Sequence, residues 1–303
     1  MSLLELLKVT FPISGVETYV FVPFLVALVI SFFTSMGGVS GAFLILPFQM
    51  SILDFTSPSV SSTNFLYNLI GIPGGVYRYI KEERMLWPLT VCIIIGTLPG
   101  VFLGYLIRVK YLPDPKDFKF FVGLVLLFIG YRLILSMRED ASSKKANLPE
   151  EAFRISNVSW SINRIRFRFL DRDVSFNVAA VTGLSLVIGI IGGIYGIGGG
   201  AIIAPFLVSI LHLPVYVVSG AVLMGTFLTS VSGLVFYSTI PLKGGVTAPA
   251  DWPLGILFGL GGLCGMYLGA RVQRYMPEKV IKLILALVIL IVSGRYILQF
   301  FGE

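Results

Sequence analysis

Two glycine runs carry the spacing in this chain that could do chemistry. Gly38-Val39-Ser40-Gly41 opens the apolar stretch AFLILPF, and Gly196-Ile197-Gly198-Gly199-Gly200 opens AIIAPF. A helix that starts at such a run inside an apolar medium leaves its first amide N–H groups without intrahelical acceptors and carries partial positive charge there. Such an end attracts anions, and glycine permits positive φ and close approach of a ligand to the backbone. Two of these ends meeting near a membrane midplane would suit a sulfonate, a carboxylate or a similar group. Hydroxyls and amides would complete the pocket, because polar side chains at bilayer depth face protein or a water-filled cavity. The substrate-binding candidates are therefore Gly38, Ser40, Gly41, Thr63, Asn64 and Asn68 from one region and Gly196, Gly198, Gly199, Gly200, Thr226, Thr229 and Ser230 from the other. Each side chain in the set has an alternative reading as an interhelical hydrogen bond.

Other chemistries find less support. Gly38-Val39-Ser40-Gly41 also spells the G-x-S-G of intramembrane serine proteases resembling rhomboids, which need a histidine within reach of the serine. The single histidine, His212, falls at the far end of a different half-helix, and Ser40 is matched in the second run by Gly198. The chain is read as a non-enzyme, with the protease kept as an alternative. No Asp or Glu falls well inside an apolar span, which leaves coupling to H+ or Na+ through hydroxyls and carbonyls open. Arg132 and Arg295 occupy near-equivalent places close to span ends and read as snorkelling cations. Cys92 and Cys264 read as small hydrophobes. Neither a metal nor a cofactor is expected.

The elements that must position these residues follow from composition. Of 303 residues, 56% are hydrophobic and 13% charged, and the mean hydropathy of +0.90 lies outside the soluble range. Successive apolar stretches of about 20 residues match roughly 30 Å of hydrocarbon. They must be helices, since lipid offers the backbone no other partner and the alternation of a barrel strand is missing. The net charge of +7 lies mostly in loops beside spans, where it orients the chain and implies no nucleic-acid partner.

The sequence also repeats itself. Gly38, Gly41, Pro47 and Phe48 fall on Gly196, Gly199, Pro205 and Phe206; Phe65, Leu66 and Gly71 fall on Phe227, Leu228 and Gly233. The pattern W-P-L-x6-G-x3-G-x2-L-G runs from Trp87 to Gly104 and again from Trp252 to Gly269. Three anchors in one order mark two homologous halves. The expected organisation is an interfacial segment 1–17 with a short helix at Leu3, Leu4, Leu6 and Leu7, a transmembrane repeat 18–137, a basic cytoplasmic linker 138–175, and a second repeat 176–303. RIRFRF at 164–169 reads as an orientation signal or an anionic-lipid contact.

Arg78, Lys81 and Arg84 mark an inside loop in the first half, whereas Arg271, Arg274 and Lys279 cluster one loop later in the second. The repeats are therefore expected to run in opposite directions, although Arg108, Lys110 and Lys116 place basic charge on an outside loop. The apolar runs after the glycines, 42–53 and 200–211, are twelve residues, or about 18 Å of helix, and cannot cross. The expected fold is thus an all-α polytopic membrane protein of two inverted repeats, each a glycine-broken helix pair followed by three transmembrane helices. G-x-x-x-G at Gly96/Gly100 and Gly261/Gly265 reads as helix packing.

The paired glycine loops and the paired W-P-L spans together resemble the sulfite exporter TauE/SafE family, also called the toluene sulfonate uptake permeases, over nearly all of both halves. The resemblance implies a multi-pass carrier of the cytoplasmic membrane that moves small sulfur-containing anions such as sulfite or organosulfonates. Its partners would be that anion, membrane lipid and a coupling ion, with a homodimer open. The first copy departs from the glycine-rich form at Ser40 and Ala42, opposite Gly198 and Gly200. An anion channel of the same architecture is the remaining alternative.

Overall fold

The computed structural model describes residues 7–36, 39–81, 83, 85–139, 155–169, 172–209, 211, 213, 215–241, 247–272 and 278–302. Its first half contains α1 (Phe21–Met36), α2 (Ala42–Ser51), α3 (Ser59–Gly71), α4 (Pro73–Lys81), α5 (Trp87–Tyr111) and α6 (Pro115–Glu139). The second contains α7 (Val178–Tyr195), α8 (Gly200–Ser209), α9 (Val215–Thr239), α10 (Trp252–Val272) and α11 (Glu278–Phe301). Among the described residues, five of these helices, α5, α6, α7, α9 and α10, are long and apolar enough to cross a membrane. The outer faces carry exposed Ile95, Val187, Val235 and Ile291, the apolar surface that hydrocarbon requires. The chain is an all-α polytopic membrane protein in class, and α2 and α8, ten residues each, are too short to span.

Two features depart from the sequence expectation. The span expected over 58–80 is divided into α3 and α4 at Ile72 and Pro73. Proline there lacks an N–H and crowds the carbonyl four residues back. The matching place in α9 holds Val235, and that helix is continuous. The second departure is β-structure. Strands β1 (Lys8–Thr10) and β2 (Glu17–Tyr19) form an antiparallel hairpin, and the helix expected at Leu3, Leu4 and Leu6 lies outside the described residues. Within the basic linker, β3 (Ser156–Trp160), β4 (Arg164–Phe169) and β5 (Arg172–Asn177) form an antiparallel sheet in the order β3-β4-β5. RIRFRF is β4: its arginines are exposed and Ile165, Phe167 and Phe169 are buried, the period of two of a half-buried strand. The Val178 amide donates to Asn163 O (3.1 Å), and Asn177 Oδ1 caps α7 through the Ala180 amide (3.0 Å). The sheet is thereby joined to α7 with no slack.

Small residues set the helix packing. α5 lies along α7 and α10 along α1, while α6 packs on α11. A methyl group on Gly96, Gly100 or Gly104 would collide with the carbonyl oxygens of Thr182, Leu186 and Ile190 respectively. On Gly261, Gly265 or Gly269 it would collide with those of Phe24, Leu28 and Phe32. The glycines differ by 165 positions and their partners by 158, so each W-P-L helix grips the first helix of the other half in the same register. Without a hydrophobic drive between helices in lipid, such backbone approach is what supplies contact.

Asp251 fixes one corner of this frame. Its buried carboxylate accepts through Oδ2 from the Ile13 amide (3.1 Å), the Ser14 amide (2.8 Å) and Ser14 Oγ (2.8 Å). Oδ1 accepts from the Leu254 amide (3.3 Å) in the first turn of α10, where the helix dipole favours negative charge. One side chain thus caps α10 and holds the loop of the N-terminal hairpin.

Candidate functional site

The second glycine turn is built from left-handed residues. α7 ends at Gly196 with φ +82°, its amide donating to Gly192 O (2.9 Å), and Gly198 follows with φ +66°. A side chain at Gly196 would also press on Ser61, whose Cβ would lie 2.6 Å from the added carbon. In the first turn Gly41 has φ −71° and Ser40 is not left-handed, which fits the serine where the second copy has glycine. Gly38 lies outside the described residues.

One side chain joins the two turns. Asn64 Nδ2 donates to Ala42 O (3.1 Å) at the start of α2 and to Gly196 O (2.9 Å) at the end of α7. One helical turn later, Asn68 Nδ2 donates to Ile197 O (3.0 Å). Tyr195 OH crosses in the other sense to Phe43 O (2.7 Å). Tyr67 OH accepts from the Gly41 amide (3.2 Å) and pairs with Ser31 Oγ (2.8 Å). The start of α2 and the glycine turn that leads from α7 into α8 are therefore within a single amide's reach of each other.

Both turns lie deep in the bundle. A Cβ on Gly199 would sit 2.8 Å from Thr97 Cγ2, and Thr97 is the eleventh of the 25 residues of α5. Gly262, the eleventh of the 21 residues of α10, abuts the ring of Tyr67 that holds Gly41. In α2 the first backbone bonds run from the Leu44 and Ile45 amides to Gly41 O (3.0 Å each), so the amides of Ala42 and Phe43 precede the helical ladder. In α8 the Ile203 amide bonds Gly199 O (3.2 Å), and the amides of Gly200 to Ile202 precede it likewise.

Around the turns, polar atoms are left without partners. Because both protons of Asn64 Nδ2 meet carbonyls, the amide's orientation is fixed, and its Oδ1 is turned away from them. Asn64 Oδ1, Asn68 Oδ1, Ser40 Oγ and Ser230 Oγ are buried and have no hydrogen-bond partner among the described residues. Leaving such an atom unsatisfied costs about 1–3 kcal/mol, and buried polar groups are nearly always paired.

Most of the sequence candidates converge here. Asn64 and Asn68 meet Gly196 and Ile197 through the bonds above, and Gly41, next to Ser40 in the chain, is held by Tyr67. A Cβ on Gly198 would lie 2.9 Å from Thr229 Oγ1 and 3.3 Å from Ser230 Oγ, and one on Gly200 would overlap Thr226 Oγ1. Thr226 and Thr229 donate to their own helix, at Val222 O (2.8 Å) and Gly225 O (2.8 Å). Thr63 is engaged elsewhere: its hydroxyl donates to Ser59 O (2.8 Å) and accepts from the Asp251 amide (2.9 Å). Arg132 lies over the Phe206 ring (5.8 Å) and Arg295 is exposed on α11. His212, on which the protease reading depends, lies outside the described residues.

Sequence reasoning missed Tyr67, Tyr195, Ser31 and Thr97. Tyr67 could have been noticed, since it sits three residues after Asn64 on a neighbouring helix face. Tyr195 and Thr97 carry no local signal. Gln49 of α2 and Arg108 of α5 were also missed as buried groups; both are fully buried with side-chain nitrogens unpaired.

Comparison with known proteins places the chain in a family. The profile described as Sulfite exporter TauE/SafE matches residues 23–296. A Bacillus subtilis (strain 168) protein named "Probable membrane transporter protein YunE" is 23% identical over 274 residues, covering 88% of this chain and 92% of the relative. No solved structure matches. With both glycine turns and both W-P-L helices inside the matched region, the chain is a membrane transporter of the sulfite exporter TauE/SafE family.

Proposed function

We propose that the protein is a secondary transporter of small sulfur-containing anions, of the sulfite or organosulfonate type, across the cytoplasmic membrane, and that it carries its substrate without transforming it. The observation that carries this reading is the bridge made by Asn64, which ties the start of α2 to the end of α7, at the turn leading into α8, beside polar atoms without partners among the described residues. Amides at the starts of α2 and α8, with the Ser40 and Ser230 hydroxyls, supply donors to the anion's oxygens. Asn64 Oδ1 and Asn68 Oδ1 accept the proton of hydrogensulfite or of an accompanying water. Coupling to H+ or Na+ would use the same hydroxyls and carbonyls.

Alternating access follows if the repeats are inverted and rock against each other. Supporting inversion, Tyr105 near the end of α5 donates to Ile240 O (2.7 Å) just past the end of α9. α10 therefore sets out from the end of the bundle where its counterpart α5 finishes.

The test is flux into proteoliposomes. Saturable sulfite or sulfoacetate uptake is expected, reduced at least about tenfold in the double variant Ser40→Ala/Ser230→Ala, since two hydrogen bonds to a charged guest are lost. The variant should melt at the wild-type temperature, because neither hydroxyl has a protein partner. Flux at conductance rates would make the protein a channel, and no flux above empty vesicles would reject the reading.

A further inference from the structure

We propose that Arg108 forms a second anion subsite, in which the Nε–Nη2 edge of its guanidinium takes two oxygens of a small oxyanion. The class of anion, sulfite or sulfonate, rests on the transport reading above; the existence of the subsite rests on Arg108 itself. This residue belongs to a basic trio that sequence reasoning placed on an outside loop, yet its side chain is 0% exposed. Nη1 donates to Leu112 O, at the C-cap of α5. Phe118, from the first turn of α6, stacks on the guanidinium with its ring centre 3.8 Å from Cζ. Among the described residues, Nε and Nη2 have no hydrogen-bond partner. The acid closest in sequence, Asp114, accepts from the Lys116 amide through Oδ1 (2.7 Å).

A buried guanidinium without a counter-charge is among the costliest groups a protein can hold. The unpaired edge is the one whose two parallel N–H bonds match a two-oxygen anion. Arg108 lies eleven residues beyond Thr97, about 16 Å along the helix axis from the level of the second glycine turn. The intervening space is occupied by Tyr105 and Tyr237, whose rings meet at 4.8 Å, and Tyr237 OH donates to Gly193 O (3.1 Å), three residues before that turn. The subsite is thus separate from the turns and connected to them through one tyrosine. It stands at the end of the bundle opposite the basic linker, where an anion would be held on its way to or from the centre.

The experiment titrates sulfite into purified protein in chloride-free gluconate buffer and follows melting temperature in parallel. Wild type is expected to bind two equivalents, Arg108→Gln one, and Ser40→Ala/Ser230→Ala one. Without sulfite, Arg108→Gln should melt at or above the wild-type temperature, because it removes an uncompensated charge; a purely structural arginine would make it melt lower at every sulfite concentration. Arg108→Lys keeps the charge but not the fork, and should weaken the second equivalent at least tenfold, which decides the matter if the glutamine variant does not fold. Two unchanged equivalents in the Arg108 variants, with one lost in the serine variant, would overturn this subsite and leave the central site standing. Loss confined to the Arg108 variants would do the reverse, and no binding by wild type would remove both.

Discussion

Asn64 shows how much one residue can fix. Its two donated bonds reach carbonyls 154 positions apart in the chain, Ala42 and Gly196, so replacing it with the similar-sized leucine strands both. At about 1–3 kcal/mol for each buried carbonyl, Asn64→Leu is expected to lower the melting temperature clearly in detergent, whereas Ser230→Ala, which breaks no protein bond, should not. Equal melting of the two variants would show that the bridge holds nothing. At this scale the sequence was legible where residue type alone is telling. Ser40, Asn64, Asn68 and Ser230 stand out as polar groups in apolar surroundings. Tyr195 does not, because its hydroxyl matters only through Phe43, 152 residues away. Arg108 was misplaced for a related reason: near a span end, sequence does not distinguish a snorkelling arginine from one folded inward under Phe118.

Helices here are placed by where glycine lets backbones touch. Gly104 lies against the backbone of Ile190 and Gly193, while a Cβ on Gly294 of α11 would meet nothing within 4 Å. Gly104→Ala should therefore force α5 away from α7 and reduce the yield of folded protein, but Gly294→Ala should be neutral or stabilising by up to about 1 kcal/mol through helix propensity. Melting temperature and size-exclusion profile of the two alanine variants check this contrast, and equal behaviour would mean that the packing is not backbone-limited. The half-helices were legible because a glycine cluster and a truncated apolar run both mark them. The break at Pro73 was not read, since hydropathy continues unbroken through it from α3 into α4. The linker sheet was overlooked because its alternating arginines were weighed as charge, whereas their period of two is the signature of a strand.

Taken as a whole, the molecule is two sets of elements gripping each other. The first helix of each half lies against the W-P-L helix of the other, and each half contributes a short helix starting near mid-bundle. That exchange makes the central polar cluster a property of the pair: α3 supplies the asparagines, while α7, α8 and α9 supply the second turn and Ser230. Duplicated anchors made the pairing legible in outline, but the asymmetry between the turns emerges only from their backbones, with left-handed glycines at Gly196 and Gly198 and no such residue at Ser40 or Gly41. The most direct measurement uses selenite, the heavier analogue of sulfite, in crystals of the protein examined at the selenium edge. The account predicts an anomalous peak between the two turns, placed so that the selenite oxygens lie about 3 Å from Ser40 Oγ, Ser230 Oγ and the first amides of α2 and α8. Selenite bound with full occupancy elsewhere, and none at the turns, would contradict it.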